Sequence, residues 1–249
     1  MTPLLLIAAV DTETKGLLQL LQDARPLECA QHSAWHGQLH GHEVLLLAGG
    51  VGKTNAAAST AVALERFAPH GVISFGSAGA YRDSGLRQGD LVLASESIAA
   101  DEGVACADTF LDFEVLGFPS VARPEKRYNR FPAPPVLHVQ AAQILADPAA
   151  RLGVALRCGA SLTVSSCSGS STRGDLLAAR WQGVCENMEG AAVAQVCSAW
   201  GIPWLEVRAI SNLVEDRDTS TWNLPLACEH VQEAVCALVE HLPPKEWLA

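Results

Sequence analysis

The sequence predicts an α/β protein with three layers, in which helices cover both faces of a central, mixed and largely buried β-sheet. Short apolar runs rich in β-branched residues alternate with helix-like stretches along the 249 residues. These runs are continuously apolar rather than alternating, which is typical of strands covered on both faces. Hydrophobic residues make up 49% of the chain, enough for a substantial core. We therefore expect a single domain over residues 1–249.

Each predicted strand rests on one apolar run, beginning with LLLIAAV near the start of the chain. The runs occupy residues 4–10, 43–48, 71–75, 90–98, 161–166 and 204–211. The opening run resembles the apolar part of a signal peptide, but no basic region precedes it and no cleavage site follows it. We interpret it as the first buried strand.

Three helices are indicated between and after these runs. Residues 54–67 are rich in alanine and other strong helix formers. Two apolar stripes at helical spacing predict the other two helices. The stripes consist of Val193, Val196, Cys197 and Trp200, and of Val231, Val235, Leu238 and Leu242.

The segment HSAWHGQLHGH, residues 32–42, contains four histidines. Imidazoles can bind a metal ion, so a metal site is one interpretation. Gly37 and Gly41 favour a β-hairpin instead, because glycine permits the tight turn that a hairpin needs. We expect the hairpin and no metal.

Residues 118–135 differ in composition from the rest of the chain. They hold five of the 13 prolines and four of the 17 basic residues. Long irregular segments are often simply surface loops, and this is the interpretation we favour. Such loops also carry function, so a lid over a substrate is the alternative.

The composition bounds the partners and the compartment. The formal net charge is −10 and the basic residues form no block, so a nucleic-acid backbone would be repelled. The eight cysteines are scattered without a Cys-x-x-Cys pair, as in proteins with reduced thiols. No apolar run reaches the roughly 18 residues that a membrane span needs. We expect a cytoplasmic protein without nucleic-acid or membrane partners.

The stretch AGGVGKT, residues 48–54, resembles a phosphate-binding loop of ATPases. The standard loop requires glycine where Leu47 stands, so that pattern fails. A variant of partition-type ATPases fits GGVGKT, except that Ala48 stands where its signature lysine belongs. A nucleotide switch of that type remains a non-enzyme alternative, although a second acidic motif for magnesium is not evident.

Several polar segments lie at the ends of predicted strands or at the starts of helices. They are VDTE (10–13), GGVGKTNA (49–56), FGSAGA (75–80), ENMEGAAVA (186–194) and VRAISNLVEDRD (207–218). In open α/β sheets, ligands bind in the crevice at the carboxyl ends of strands, so these segments can form one pocket. Glycines in FGSAGA would let backbone N–H groups approach a polar ligand closely.

This set resembles the nucleoside phosphorylase/nucleosidase superfamily, in order from about residue 4 to residue 240. Within it, ENMEGAAVA, ISNLVEDRD and TSTWNLPLA look most like the futalosine hydrolase family, which removes hypoxanthine from futalosine in menaquinone biosynthesis. The resemblance implies a small purine nucleoside as substrate, no cofactor, and a homodimer or larger homo-oligomer. It also implies that the glycine-lysine stretch is a strand-to-helix turn beside the pocket, and that Lys53 need not contact a phosphate.

The resemblance assigns a role to each matching residue. Glu13 matches the acid that activates the attacking water, which suits a carboxylate because it can accept a proton. Glu189 matches the acid that binds the ribose hydroxyls, and Met188 matches its neighbour on the sugar face. The other implied substrate-binding positions are Gly76, Ser77, Ala78, Arg208 and Ser211. Taken alone, Glu13 could be an early-helix acid, and Met188 and Glu189 ordinary helix positions.

Asn212 is implied to be a catalytic residue that contacts the leaving base. Adenine-specific nucleosidases have aspartate at this place, whereas an amide can donate a hydrogen bond but cannot give up a proton at neutral pH. The resemblance therefore implies a 6-oxopurine such as hypoxanthine. A turn residue after a strand is the other interpretation of Asn212, and Asp216 and Asp218 remain alternative acids.

The nucleophile is expected to be water. Phosphorylases of the superfamily commonly have an arginine just before the Gly-Ser turn, where this chain has Phe75. A 6-oxopurine nucleoside phosphorylase and a methylthioadenosine/S-adenosylhomocysteine nucleosidase remain the alternative enzymes. Glu215 stands where the family has glycine, and no role is assigned to Arg217.

Overall fold

The computed structural model describes residues 2–242 and 247. The strands are β1 (Leu4–Ala8), β2 (Gln22–Cys29), β3 (His32–Leu39), β4 (His42–Ala48), β5 (Gly71–Ala80), β6 (Leu91–Ala99), β7 (Gly103–Ala105), β8 (Phe110–Asp112), β9 (Arg130–Pro132), β10 (Leu156–Thr163), β11 (Gly183–Asn187) and β12 (Trp204–Leu213). The helices are α1 (Asp11–Leu20), α2 (Lys53–Phe67), α3 (Phe113–Leu116), α4 (Pro135–Leu152), α5 (Ser171–Trp181), α6 (Gly190–Trp200) and α7 (Leu224–His241).

Ten of these strands form one mixed sheet. Its order is β11-β10-β6-β12-β5-β1-β4-β3-β2, and β9 pairs with β6. The central pairs β4–β1, β1–β5 and β5–β12 are parallel, whereas β12–β6 and the β2–β3–β4 meander are antiparallel. β11 also pairs with β5, which closes β5, β12, β6, β10 and β11 into a small barrel.

Helices cover both faces of the sheet, which confirms the predicted three-layer architecture. Along β1, Leu4 and Leu6 face a core shared with α1, α4 and α7. Leu5 and Ile7 face the opposite core, shared with α2 and α6. Because both faces are buried, no polar residue interrupts the strand, and the continuous apolar run in the sequence follows from this.

The predicted strands are all present, with shifted ends. β1 ends at Ala8 rather than residue 10, because Val10 is the N-cap of α1. β5 runs to Ala80, so the Gly-Ser-Ala-Gly segment expected to be a turn is a strand. The hairpin predicted for residues 32–42 is confirmed: β3 and β4 pair antiparallel, and Gly41 has φ +78° in the turn.

The helix predictions are confirmed except at one residue. α2 begins at Lys53, one residue before the predicted helix, and the stripe on α7 is buried throughout. On α6, Val193 and Cys197 are buried, but Trp200 is 46% exposed and donates its Nε1–H to Glu65. Trp200 is the last residue of α6 and lies outside the core, so its assignment to the apolar stripe was wrong.

Residues 118–135 are more firmly held than a surface loop. They include β9, in which Phe131 is fully buried. Asn129 is also buried, and its amide donates to the carbonyls of Ala99 and Glu102. The interpretation as a simple surface loop is therefore wrong for residues 129–132, and the lid stays a prediction.

Two further observations concern the chain as a whole. All eight cysteines lie in the described residues and are free thiols, as their spacing predicted. Within residues 2–242 and 247, every helix is too short or too polar to cross a membrane.

Candidate active site

Glu13 lies at the carboxyl end of β1, in the first turn of α1. Its Oε2 accepts from the backbone N–H of Ala9 (3.0 Å) and Val10 (3.4 Å), so it caps the helix. Its Oε1 accepts from the N–H (2.9 Å) and the hydroxyl (3.1 Å) of Ser77 in β5. Glu13 is therefore both an acid in the first turn of a helix and a buried acid that contacts β5, and it is only 5% exposed.

Because Gly76 has no side chain, β5 can lie close to both the Glu13 carboxylate and the Arg208 guanidinium. A Cβ at this position would lie 2.7 Å from Glu13 Oε1 and 2.9 Å from Arg208 Nη1. The residue also has φ +154°, a conformation that side-chain-bearing residues rarely adopt. The glycine predicted to contact a substrate is thus required by its neighbours in the protein.

Glu189 is the N-cap residue of α6, directly after β11, rather than a position within a helix. Its Oε1 accepts from the N–H of Gly52 (2.8 Å), and its Oε2 lies 3.9 Å from Arg208 Nη1. Burial raises the pKa of the Glu189 carboxyl, while Arg208 and the Gly52 N–H act in the opposite direction. Met188, beside it, is half-buried.

The glycine-lysine stretch is a strand-to-helix turn, as the resemblance implied. Gly52 has φ +89° and precedes α2, and its N–H is the group that holds Glu189. The Lys53 ammonium is paired with Asp101 and, at 3.0 Å, with Glu102. Asp101 also accepts from the N–H of Ser165 (2.6 Å), so Lys53 joins two loops of the protein.

Arg208 is fully buried at the centre of a polar network that sequence reasoning missed. Its Nε donates to Glu206 (2.9 Å), which also accepts from Ser97, from Ser161 (2.8 Å) and from Asn187 (2.9 Å). Burial acts to lower the pKa of Arg208, but the surrounding acids, Glu206 first, raise it overall. The available signal was a glutamate inside the apolar run WLEVRAIS, two residues before an arginine.

Asn212 and Ser211 lie where β12 shifts its register against β5. The hydroxyl of Ser211 donates to Asn212 Oδ1 (2.7 Å), and Nδ2 donates to the carbonyl of Leu213 (2.9 Å). Among the described residues, these bonds leave the second Nδ2–H without an acceptor. The amino group faces Gly79, where a Cβ would lie 3.2 Å from Nδ2. Asn212 is thus a buried donor beside bare backbone rather than a surface turn residue.

Several other predicted positions have structural partners. Asp216 accepts from the N–H of Ser171 (3.1 Å). Asp218 accepts from the hydroxyl (2.6 Å) and N–H (2.9 Å) of Ser220, and these bonds lower its pKa. Both acids hold exposed loops, which disfavours them as proton donors. Phe75 is fully buried in the core, so no cation stands at that place.

Glu186 is a second buried acid that sequence reasoning missed. Its carboxylate accepts from the Tyr81 hydroxyl (3.1 Å) and from the N–H (2.7 Å) and hydroxyl (2.8 Å) of Ser168. Burial, followed by the neighbouring Glu186, raises the pKa of Tyr81 well above its usual value, so the phenol stays a donor. Glu186 was visible only as the first acid of ENMEG.

The structure brings Glu13, Gly76, Ser77, Glu189 and Arg208 together beside the middle of β5. Ala78, Ser211 and Asn212 lie farther along β5 and β12, where the Ser211 hydroxyl also contacts the Ala78 carbonyl (3.2 Å). The functional roles of these residues stay predictions. Within residues 2–242 and 247, no group of three or more His, Cys, Asp or Glu side chains is arranged to hold a metal ion.

Comparisons with known proteins identify the family. The family model described as the phosphorylase superfamily matches residues 3–242. The chain is 36% identical to a futalosine hydrolase of Thermus thermophilus over 207 residues, 83% of this chain and 85% of that protein. It is 31% identical to a 5'-methylthioadenosine/S-adenosylhomocysteine nucleosidase of Oceanobacillus iheyensis over 209 residues, 84% and 85% of the two chains.

A solved structure adds the three-dimensional likeness. It is the 5'-methylthioadenosine/S-adenosylhomocysteine nucleosidase of Neisseria meningitidis in complex with methylthio-immucillin-A. The TM-score is 0.84 at 26% sequence identity, covering 97% of this chain and 100% of that chain. The likeness therefore extends over the whole sheet and both helical layers.

Proposed function

The chain belongs to the phosphorylase superfamily, and from that premise we propose that it hydrolyses the N-glycosidic bond of futalosine and releases hypoxanthine. Its relatives are nucleosidases and futalosine hydrolases, and it is a hydrolase that acts on N-glycosyl compounds. The proposed substrate places it in menaquinone biosynthesis.

The observation that carries the choice of substrate is the Asn212 amide. Ser211 fixes its oxygen as an acceptor, so its amino group projects toward Gly79 and keeps one N–H free. That N–H can bond N7 or O6 of a 6-oxopurine, both of which accept hydrogen bonds. Adenine keeps N7 as an acceptor but carries a 6-amino donor in place of O6, so adenine is disfavoured when the Asn212 N–H bonds the group at position 6.

The proposed reaction uses the acids at the other end of the site. Glu13 accepts a proton from water, which takes the acceptor position that the Ser77 hydroxyl occupies in the structure, as the water oxygen bonds to the anomeric carbon. The carbon–nitrogen bond breaks, and its electron pair goes to the purine, which Asn212 stabilises with a hydrogen bond. The purine anion then takes a proton from solvent and Glu13 returns its proton to solvent, so that neutral hypoxanthine and the free sugar are released. Glu189 binds the ribose hydroxyls and, with Glu13, supplies negative charge close to the cation-like sugar of the transition state.

Water rather than phosphate is the proposed nucleophile. Phe75 stands where phosphorylases commonly have an arginine, and its side chain lies in the core. Arg208 is a buried cation near the site, but its guanidinium bonds Glu206 and Ser74. The charge that could hold a phosphate anion is therefore already matched by acids of the protein.

A second candidate is hydrolysis of 5'-methylthioadenosine or S-adenosylhomocysteine, because relatives with that name align over as much as 97% of this chain. One experiment separates the candidates: release of free base from futalosine, inosine and 5'-methylthioadenosine in phosphate-free buffer. We expect the largest kcat/KM with futalosine and no stimulation by phosphate. Preferential cleavage of 5'-methylthioadenosine would establish the second candidate, and formation of ribose 1-phosphate would establish a phosphorylase.

We also propose that the chain forms a homodimer or a larger homo-oligomer. Val104, Val115 and Phe118 are 45%, 68% and 70% exposed and lie close together in sequence around β7, β8 and α3. Exposed apolar side chains of this kind often mark contacts between subunits. Light scattering of the purified protein measures the assembly directly.

A further inference from the structure

Glu186 is an acid that the proposed reaction does not use. It is 5% exposed, yet within the described residues no Lys, Arg or His lies within ion-pair distance of its carboxylate. Its partners are three neutral donors, the Tyr81 hydroxyl and the two donors of Ser168. A carboxylate has about four acceptor positions. One position is therefore free in a place where an unpaired charge is costly.

The pairing of strands places Glu186, with its free acceptor position, on the same face of the sheet as the Asn212 amide. Glu186 of β11 and Asn212 of β12 both pair with Gly79 of β5. Residues paired across strands project to the same face, and neighbouring strands lie about 4.8 Å apart, so their Cα atoms are roughly 10 Å apart. Gly79 itself places no side chain between them, and Val214 packs over it, with Cγ2 3.0 Å from the position that a Cβ would take. The two polar groups therefore form the walls of a slot that is lined between them by the Gly79 backbone and the buried Val214 side chain.

The slot lies on the same face as the Glu13 carboxylate. Ser77 precedes Gly79 by two residues in β5, so both project to one face, about 7 Å apart along the strand. The Ser77 hydroxyl contacts Glu13. A nucleoside with its anomeric carbon at Glu13 therefore extends its purine along β5 into the slot.

A loop that begins after β10 covers the slot and connects its two walls. Ser168 bonds Glu186, and the next residue, Gly169, accepts from the N–H of Arg217 beyond Asn212 (3.3 Å).

A 6-oxopurine matches these two walls. It has a donor at N1–H and acceptors at O6 and N7, whereas adenine has an acceptor at N1 and a donor at its 6-amino group. We infer that Glu186 is a specificity-determining residue that accepts the N1–H of the purine while Asn212 donates to O6 or N7. The inference rests on the proposed function, because it takes the substrate to be a 6-oxopurine nucleoside.

The test is the ratio of kcat/KM for futalosine to kcat/KM for its 6-amino analogue. Glu186→Met removes both acceptor oxygens at a similar side-chain length, so N1–H loses its acceptor and the ratio is expected to fall by roughly 5- to 150-fold. Tyr81→Phe is the matched control, since it removes one donor to Glu186 but keeps the carboxylate. It is expected to affect both substrates alike and leave the ratio unchanged.

The outcomes separate this inference from the proposed function. A wild-type protein that prefers the 6-amino analogue overturns the proposed function and, with it, the role of Glu186. A wild-type preference for futalosine that persists in Glu186→Met overturns only the role of Glu186. An equal fall in the ratio with Tyr81→Phe assigns the effect to packing and also overturns it.

A measurement on the wild-type protein covers the case in which Glu186→Met does not fold. Hypoxanthine and 1-deazahypoxanthine are compared as competitive inhibitors, because the deaza base has C–H in place of N1–H. We expect the deaza base to bind roughly 5- to 150-fold more weakly. Equal inhibition by the two bases would overturn the role of Glu186.

Discussion

The two ends of the site along β5 differ in how their acids are compensated. At the end with Glu13 and Glu189, the proposed sugar end, both acids lie around the buried Arg208, which is itself paired with Glu206. At the end with Glu186 and Asn212, the proposed base end, Glu186 has only neutral donors among the described residues and Asn212 carries no charge. The proposed sugar end is thus suited to stabilise charge, whereas the proposed base end is suited to match donors with acceptors. Substitutions at the first should change rate, and substitutions at the second should change selectivity.

The largest effect is expected from Glu13→Gln at the sugar end. The amide cannot accept the proton of water, so kcat should fall by about 10²- to 10⁴-fold. Both oxygens of Glu13 accept from backbone N–H groups, so the amide NH₂ must face a donor, and stability should fall by about 1–3 kcal/mol. Base release and thermal unfolding measure the two effects separately.

Asp11→Asn is the control for this substitution. Asp11 is an exposed acid in the same turn of α1, and we expect wild-type kcat for the variant. Near-normal turnover by Glu13→Gln would move the general base to another residue.

The next largest effect is expected from Gly76→Ala, which moves the sugar end without changing its chemistry. The added methyl group would lie 2.7 Å from Glu13 Oε1 and 2.9 Å from Arg208 Nη1, so these groups must shift. A displacement of about 1 Å can cost about 10²-fold in rate. We expect a loss of that size in kcat, with the ratio between 6-oxo and 6-amino substrates retained.

Gly85→Ala is the matched control for Gly76→Ala. Gly85 also has a positive φ (+75°), but a Cβ there meets nothing within 4 Å. Its substitution should destabilise the fold by about 1 kcal/mol and leave kcat unchanged. Equal losses of activity in the two variants would show that backbone strain, rather than contact with Glu13 and Arg208, limits the rate.

The smallest effect on rate, and the most selective one, is expected from Asn212→Asp at the base end. The carboxyl group can share a proton with N7 and accept from a 6-amino group, so preference should shift toward the 6-amino analogue by roughly 5- to 150-fold. The measurement is kcat/KM for both substrates in both proteins. An unchanged ratio would show that Asn212 does not contact the purine.

The sequence predicted the elements whose side chains follow one simple rule. Buried strands such as β1 are continuously apolar, and α7 has a regular stripe, so both could be recognised. β2 was missed because it is an edge strand whose residues QDARPLEC are largely exposed and polar. The extension of β5 through Gly76 and Gly79 was missed because glycine ordinarily marks a turn.

The same limit applies to the candidate site. Glu13 and Glu189 belong to short motifs at element ends and could be proposed from the resemblance. Glu206 and Glu186 lie inside strands, and their partners Ser97, Ser161, Tyr81 and Ser168 are far away in the chain. The tertiary fold brings these groups together, so the local sequence shows at most a charged residue within an apolar run and does not identify its partners.

The short side chains of β5 have a consequence for how this fold can diversify. Gly76, Ala78 and Gly79 have small side chains or none, so distances along this part of β5 are set by the geometry of the backbone rather than by side-chain rotamers. The groups that select a ligand are carried by the neighbouring strands β11 and β12, at a set distance from Glu13. Substitutions in β11 and β12 therefore change which ligand binds without moving the reacting groups around Glu13. Ligand recognition and catalysis can thus evolve separately.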